Sequence, residues 1–259
     1  MTPHGSIWRV ARAIAWRSLH TYVRRPDLFV PSLIFPLVFL ASFAGGLSAL
    51  GHIPGFHFPA GYTAFQFVFV LCQSAMFGGL FTGFTLAADF ETGFARRLML
   101  AAENRRGIAL GYAFVALTRA TITLSVVSVV ALATGMKITG DGVDVVGMYG
   151  LAALLVLIGF GWAAGVAFRF RSIQAGPLMQ TPVFLILFLA PVYVPLGLLK
   201  GWIHAVASIN PATAFLEAGR GLISGVHDHT ALAFACAVGL ILLFSVWLLT
   251  GLRAAENAP

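Results

Sequence analysis

The chain has 259 residues, of which 59% are hydrophobic and only 10% charged, with a formal net charge of +7 and a mean hydropathy of +0.91. Soluble domains carry roughly 25% charged residues, so a fully water-covered surface is excluded and lipid must be the solvent for much of this protein. The positive balance does not point to nucleic acid, because the arginines lie between apolar runs and form no basic patch on a soluble fold. Cys72 and Cys236 both sit inside apolar runs, a pattern without a disulfide framework or CxxC site.

The first element is IWRVARAIAWRSLHTYVRR, a predicted amphipathic helix over 6–25. Arg9, Arg12, Arg17, His20 and Arg24 share one face at helical spacing, and Ile7, Val10, Ala11, Ile14, Ala15, Leu19 and Tyr22 share the other. Such a helix lies along a membrane surface with its cations near anionic head groups. It is either an anchor or a lever joining a cytosolic partner to the first span. The first apolar run starts after residue 27 and more follow it, so this is no cleavable signal; Arg24 and Arg25 read as the positive flank of that run.

A helix crosses about 30 Å of hydrocarbon with about 20 residues. Six runs qualify: 28–50, 60–88, 107–134, 145–168, 177–199 and 230–251. Arg9, Arg12, Arg17, Arg24, Arg25, Arg96, Arg97, Arg105, Arg106, Arg169, Arg171 and Arg253 fall in one set of loops, while only Lys137, Lys200 and Arg220 fall in the other. The positive-inside rule therefore places both termini in the cytoplasm. The expected architecture is all-α integral membrane: a single transmembrane domain over 1–259, without internal repeats or a soluble domain.

Between Asp27 and Asp89 there is no charged residue; then Asp89, Glu91, Arg96, Arg97, Glu103, Arg105 and Arg106 follow closely. Within FETGFARRLMLAAENRRG, residues Phe90, Phe94, Leu98 and Ala101 recur at helical spacing as an apolar stripe. The second span is predicted to run into a short cytoplasmic helix whose stripe packs on the bundle while Glu91, Arg96 and Arg97 face outward. The alternative is a solvated loop flank that only sets topology.

The order of these pieces resembles a known family. A basic amphipathic helix precedes RRPDLFVPSLIFPLVF, the second span ends in ADFETGFARRLMLAAENRRG, and the fifth leads into INPATAFLEAGRGLISG. This resembles the permease subunits of ABC-2 type ABC exporters, particularly the drug-resistance (daunorubicin-type) branch. The closest correspondences are Glu91, Gly93, Arg97 and Leu98 in the first motif and Asn210, Pro211, Arg220 and Gly221 in the second. The resemblance implies that residues 90–104, with Glu91, Gly93, Phe94, Arg96, Arg97 and Leu98, form a coupling helix seated in a cytosolic ABC ATPase. It also implies paired permeases and paired ATPases in a bacterial plasma membrane. The family often has Pro where this chain has Glu103, so the turn leaving the helix differs here.

The stretch 200–228 is expected to be an external re-entrant hairpin. Asn210 suits an N-cap, Pro211 the first helical position, and Gly225 a C-terminal stop after Ser224. Glu217 and Arg220 are spaced to pair. The apolar Trp202, Ile203, Val206, Phe215, Leu216, Leu222 and Ile223 need cover, so the hairpin is either a structural lid or an outer gate. Arg119, about 20 Å along its helix from Arg106, belongs to a translocation path or dimer interface, or is tied to a polar neighbour. Phe77 and Phe81, with Phe65, Phe67, Phe69 and Phe84, either line a path for lipophilic cargo or simply pack. Pro177, Pro182, Pro191 and Pro195 are expected to distort the fifth span, and Gly78-Gly79 and Gly159-x-Gly161 to permit close helix approach. The HDH stretch at 227–229 lacks further ligands for a metal.

Neither lysine follows a glycine, since Met136 precedes Lys137 and Leu199 precedes Lys200; a Walker A loop is therefore missing. ATP and Mg are expected on a partner ATPase and no cofactor on this chain, which is then a transport subunit and not an enzyme. The rival reading is an ion- or proton-coupled carrier, but every Asp and Glu sits at a span end or in a loop. An intramembrane hydrolase would need GxSxG, HExxH or paired intramembrane Asp, and none is present.

Overall fold

The computed structural model describes residues 3–24, 26–102, 104–227 and 229–256, with side chains assigned over most of that range. Ten α-helices follow in chain order: α1 Pro3–Arg24, α2 Pro26–Leu40, α3 Gly61–Glu91, α4 Phe94–Ala101, α5 Arg106–Ala133, α6 Gly142–Phe170, α7 Gly176–Phe188, α8 Trp202–Ile209, α9 Pro211–Ser224 and α10 Thr230–Glu256. The described residues contain no strand. Among the described residues, four helices, α3, α5, α6 and α10, are long and apolar enough to cross a membrane.

α3 is the central element. Its 31 residues span about 46 Å and are apolar on nearly every side, as a helix surrounded by others must be. It packs on α6 through glycines. A Cβ on Gly79 would lie 2.1 Å from the Val156 carbonyl, and one on Gly159 would lie 2.3 Å from the Met76 carbonyl. Close approach of this kind replaces the hydrophobic effect as the cohesive term in lipid, because it maximises van der Waals contact. The expected glycine seams are thus present: Gly78 meets Ala120, and Gly161 meets Phe244. A further seam joins α1 to α5, where a Cβ on Gly107 or Gly111 would lie 2.9 Å from the carbonyl of Ile7 or Ala11 respectively. In contrast, α10 leaves Leu242, Leu243 and Val246 exposed.

Hydrogen bonds gather the helix ends into two opposite groups. At one end Asp89 of α3 meets Tyr112 of α5, Glu91 meets Ser172 and Ile173 ahead of α7, and Arg105 meets Glu256 at 3.6 Å. At the other, Tyr62 and Gln66 reach the carbonyls of Tyr193 and Val192, Thr139 and Gly140 donate to Ile223, and His227 pairs with Asp144. The loop arginines beyond residue 90 lie at the first end, and Lys137, Lys200 and Arg220 at the second.

Two of the expected spans are not continuous α-helices over their full length. The first does not continue as an α-helix to residue 50: α2 stops at Leu40, a π turn covers Ala41–Gly46 and a 3-10 turn covers Ser48–His52. Paired glycines 45 and 46 remove the side-chain contacts that favour a regular helix there. In the fifth, α7 ends at Phe188 and does not continue as an α-helix to 199. Pro191 and Pro195 cannot donate backbone hydrogen bonds and disfavour helical geometry in the residue before them, so only a short 3-10 turn, Leu196–Leu198, follows. Pro177 occupies the start of α7, and Pro182 is accommodated inside it.

α1 matches the expected faces. Ala11, Ile14 and Tyr22 are buried, whereas Arg9, Arg12, Arg17, His20 and Arg24 are exposed.

Candidate functional site

The charged stretch after α3 forms an elbow. Thr92 and Gly93 close the end of α3 by donating to Ala88 and Phe90. Gly93 has φ +73, a left-handed conformation that glycine adopts without a Cβ penalty. The chain thereby reverses into α4. Ala95 and Met99 form the buried face of this short helix, with Phe94 and Leu98 half-buried beside them. The expected stripe is therefore corrected: Phe90 belongs to α3, and Ala101 is exposed. The interruption at Gly93 rotates α4 relative to the helical phase of α3, which a single continuous stripe could not reveal. Glu91, Arg96, Arg97 and Leu100 face outward, Leu100 with 84% of its surface exposed. Glu103, at the anticipated altered turn, lies outside the described residues.

Three tethers hold this elbow. Arg17 of α1 places its guanidinium 3.5 Å from the centre of the Phe94 ring and donates two hydrogen bonds, of 3.2 and 3.0 Å, to Asp89. Asp89 also accepts from the Tyr112 hydroxyl. Arg105 Nε donates to the Met99 carbonyl at 3.1 Å, tying α4 to the start of α5. Glu91 Oε1 accepts from Ser172 Oγ at 2.6 Å and from the Ile173 backbone at 2.8 Å. These two donors, Ser172 first, hold the Glu91 carboxyl below its ordinary pKa; the residue lies beyond the apolar stretch 60–88. Glu91 is thus a latch as well as an exposed charge.

Above the elbow a cavity of about 660 Å³ opens between α1, α2, α3 and α5. Arg17, Asp89, Phe81, Phe84 and Arg119 are among the residues that line it. Arg119 is 9% exposed, donates to Thr85 Oγ1 at 3.2 Å and lies 4.1 Å from the Tyr22 ring centre. Its helical side chain leans toward the start of α5, as helix geometry dictates, so the charge sits about one α3 turn above Asp89. Phe77 is buried against Phe184, with ring centres 4.8 Å apart, and Phe81 follows it at 5.7 Å. Phe65, Phe67 and Phe69 are packed in the core.

At the opposite end, the hairpin forms as its local signals direct. The Asn210 side chain accepts from Ala212 at 2.9 Å, Pro211 begins α9, and Gly225 ends it at φ +79. Arg220 bonds Glu217 at 3.2 Å and the Val192 carbonyl at 3.2 Å, and stacks 3.4 Å from the Phe65 ring centre. Phe215, Leu216, Leu222 and Ile223 find cover, but Trp202 stays 72% exposed. Arg220, within α9, is buried too, at 2% exposed. His227 contacts Asp144; Asp228, the centre of HDH, lies outside the described residues. No group of three metal-ligating side chains occurs among the described residues.

The sequence did not single out the Arg17, Asp89 and Tyr112 cluster, nor Gln66 and Gln73. The available signal was two glutamines in an otherwise apolar run, since polar groups at membrane depth require partners.

Residues 9–223 match the ABC-2 type transporter family. The chain is 23% identical over 241 residues to the daunorubicin resistance ABC transporter permease protein DrrB1 of Streptomyces coeruleorubidus, covering 89% of this chain and 81% of that one. It is 28% identical over 229 residues to ycf38 of Pyropia yezoensis, a protein named as a transport permease, covering 86% and 76%. This breadth of match, over an all-helical membrane fold, includes the elbow and nearly all of α9. The chain belongs to the ABC-2 type transporter family as a membrane transport subunit, with its resemblance running to the drug-resistance branch.

Proposed function

We propose that this chain is the permease subunit of an ATP-driven exporter, and that α4 is the helix through which a separate cytosolic ABC ATPase moves it. One observation carries the reading. α4 presents Arg96, Arg97 and Leu100 outward while its other face and flanks are tied to α1, α3, α5 and the residues preceding α7. A load on the outer face is thereby transmitted to four elements. A loop that served only to set topology would need charge alone.

In this reading α2, with its π turn, and α7, with the residues around it, complete a six-span arrangement in the bacterial inner membrane. The elbow and both termini are cytoplasmic, and α8 and α9 lie toward the outer leaflet. Two permeases pair, and ATP and Mg are bound by the ATPases. ATP binding closes the ATPase pair and favours the outward-open permease, because a ligand shifts only an equilibrium between states that it binds unequally. The daunorubicin name of one relative and the aromatic cavity wall support a lipophilic cargo, of the drug, lipid or glycolipid kind. The hairpin would part at α9 to release it.

The test is affinity purification of the tagged chain from its host in mild detergent, with partners identified by mass spectrometry. Recovery of a P-loop ATPase with the parent chain, reduced severalfold by Arg97→Glu and less by Glu91→Ala, is the expected result. Equal recovery across all three, or none with the parent, would remove the coupling role from α4.

A further inference from the structure

The inner end of the cavity has a charge and polar groups that the protein itself leaves unanswered. Arg119 has no carboxylate partner among the described residues, although Arg17, at the same cavity, is paired with Asp89. The charged side chains lining the cavity are therefore two arginines against one aspartate. A smaller space of about 20 Å³ shares Tyr22, Ser32, Phe35, Phe81 and Arg119 with the larger one and extends deeper. It is bordered by Gln73, 1% exposed, and Ser74, 6% exposed. Both polar atoms of the Gln73 side chain and the Ser74 hydroxyl lack a hydrogen-bond partner.

Burying a guanidinium without a carboxylate partner and an unsatisfied amide costs stability, so a site that keeps both is arranged to receive something. The smaller space accommodates one water-sized group. The larger one has the volume of a ligand pocket, with Phe35, Phe81 and Phe84 beside the cation.

We propose that this cavity is a binding site for an anionic amphiphile, with its phosphate- or carboxylate-type head on Arg119 and its tail along Phe35, Phe81 and Phe84. Thr85 orients the guanidinium, and Gln73 with Ser74 receives the deepest oxygen of the head group or a water bound to it. The site rests on the transport reading above and narrows its cargo: a lipophilic cation is disfavoured by the excess positive charge.

The site is tested on the full chain in neutral detergent, without the ATPase, so that loss of coupling at α4 and loss of binding here are read separately. The probes are dodecyl phosphate, dodecyltrimethylammonium and inorganic phosphate, with bound molecules counted by native mass spectrometry. A photoreactive dodecyl phosphate then maps the location. The expected result is one dodecyl phosphate per chain, labelling at residues 77–84, and binding weakened about tenfold or more by Arg119→Gln and retained by Arg119→Lys. Gln73→Leu is expected to raise the melting temperature while weakening binding, a combination that general destabilisation cannot produce. Equal binding of the cationic probe, or unchanged binding in Arg119→Gln, would overturn the proposal. Inorganic phosphate binding as tightly as dodecyl phosphate would overturn the amphiphile and leave a plain anion site.

Discussion

Arg220 and Arg119 are both buried and both lie over an aromatic ring, but their surroundings differ. Arg220 bonds a carboxylate and a backbone carbonyl inside a closed hairpin. Arg119 bonds the Thr85 hydroxyl, contacts Tyr22 and borders an open cavity, with no carboxylate partner among the described residues. The helix seam beneath the hairpin is equally tight: a Cβ on Gly219 would lie 2.6 Å from Val68. At the hairpin end the buried arginine is paired with a carboxylate, although its Nε and Gln66 Oε1 lack partners; at the other end Arg119 has no carboxylate among the described residues, and Gln73 and Ser74 are unmet beside an elbow of exposed charge. A carboxylate partner, more than burial, separates the two arginines.

The comparison is broken most severely where packing is closest. Gly79→Leu forces a side chain into the Val156 carbonyl and is expected to cost at least about 3 kcal/mol, read as loss of a monodisperse peak in detergent. Glu217→Ala leaves the Arg220 guanidinium without its carboxylate and is expected to cost about 3 kcal/mol, at the low end for a broken buried pair because Glu217 is partly exposed; a thermal melt checks it. Arg119→Gln should change the same melt by no more than about 1 kcal/mol, since no carboxylate is orphaned. An equal loss for both arginines' substitutions would erase the distinction between the two ends.

The smallest effect is a pH dependence at the elbow. Hydrogen bonds from Ser172 and Ile173 lower the folded pKa of Glu91. Its contribution is therefore fully present above the unfolded value of 4.5 and is lost only as pH falls through the lower folded value. Backbone amide exchange at Ile173 should stay slow as pH drops through 4.5, once corrected for intrinsic exchange. Glu91→Ala should accelerate it at neutral pH.

The hairpin was legible because its signals are local. Asn210, Pro211 and Gly225 each act within one helical turn of themselves, so the boundaries of α9 follow from residue chemistry alone. The outward direction of Arg96 and Arg97 was legible for the same reason, as was the close approach at Gly79 and Gly159. The cavity was not. Arg17, Asp89, Thr85 and Arg119 come from three helices distant in sequence, and their meeting depends on how α1 docks in the Gly107 to Gly111 seam. The rotation of α4 was also hidden, because a left-handed glycine resets helical phase without leaving a trace in hydrophobic spacing.

Leu100 and Ile209 offer the most direct measurement of the central claim. Both are strongly exposed, at 84% and 86%, on α4 at one end of the molecule and on α8 at the other. A photoreactive amino acid is placed at each position in turn, in the native host, and the cross-linked products are identified by mass spectrometry. The account predicts a P-loop ATPase joined at position 100 and absent at position 209. No ATPase at position 100, or the same ATPase at both positions, would contradict it.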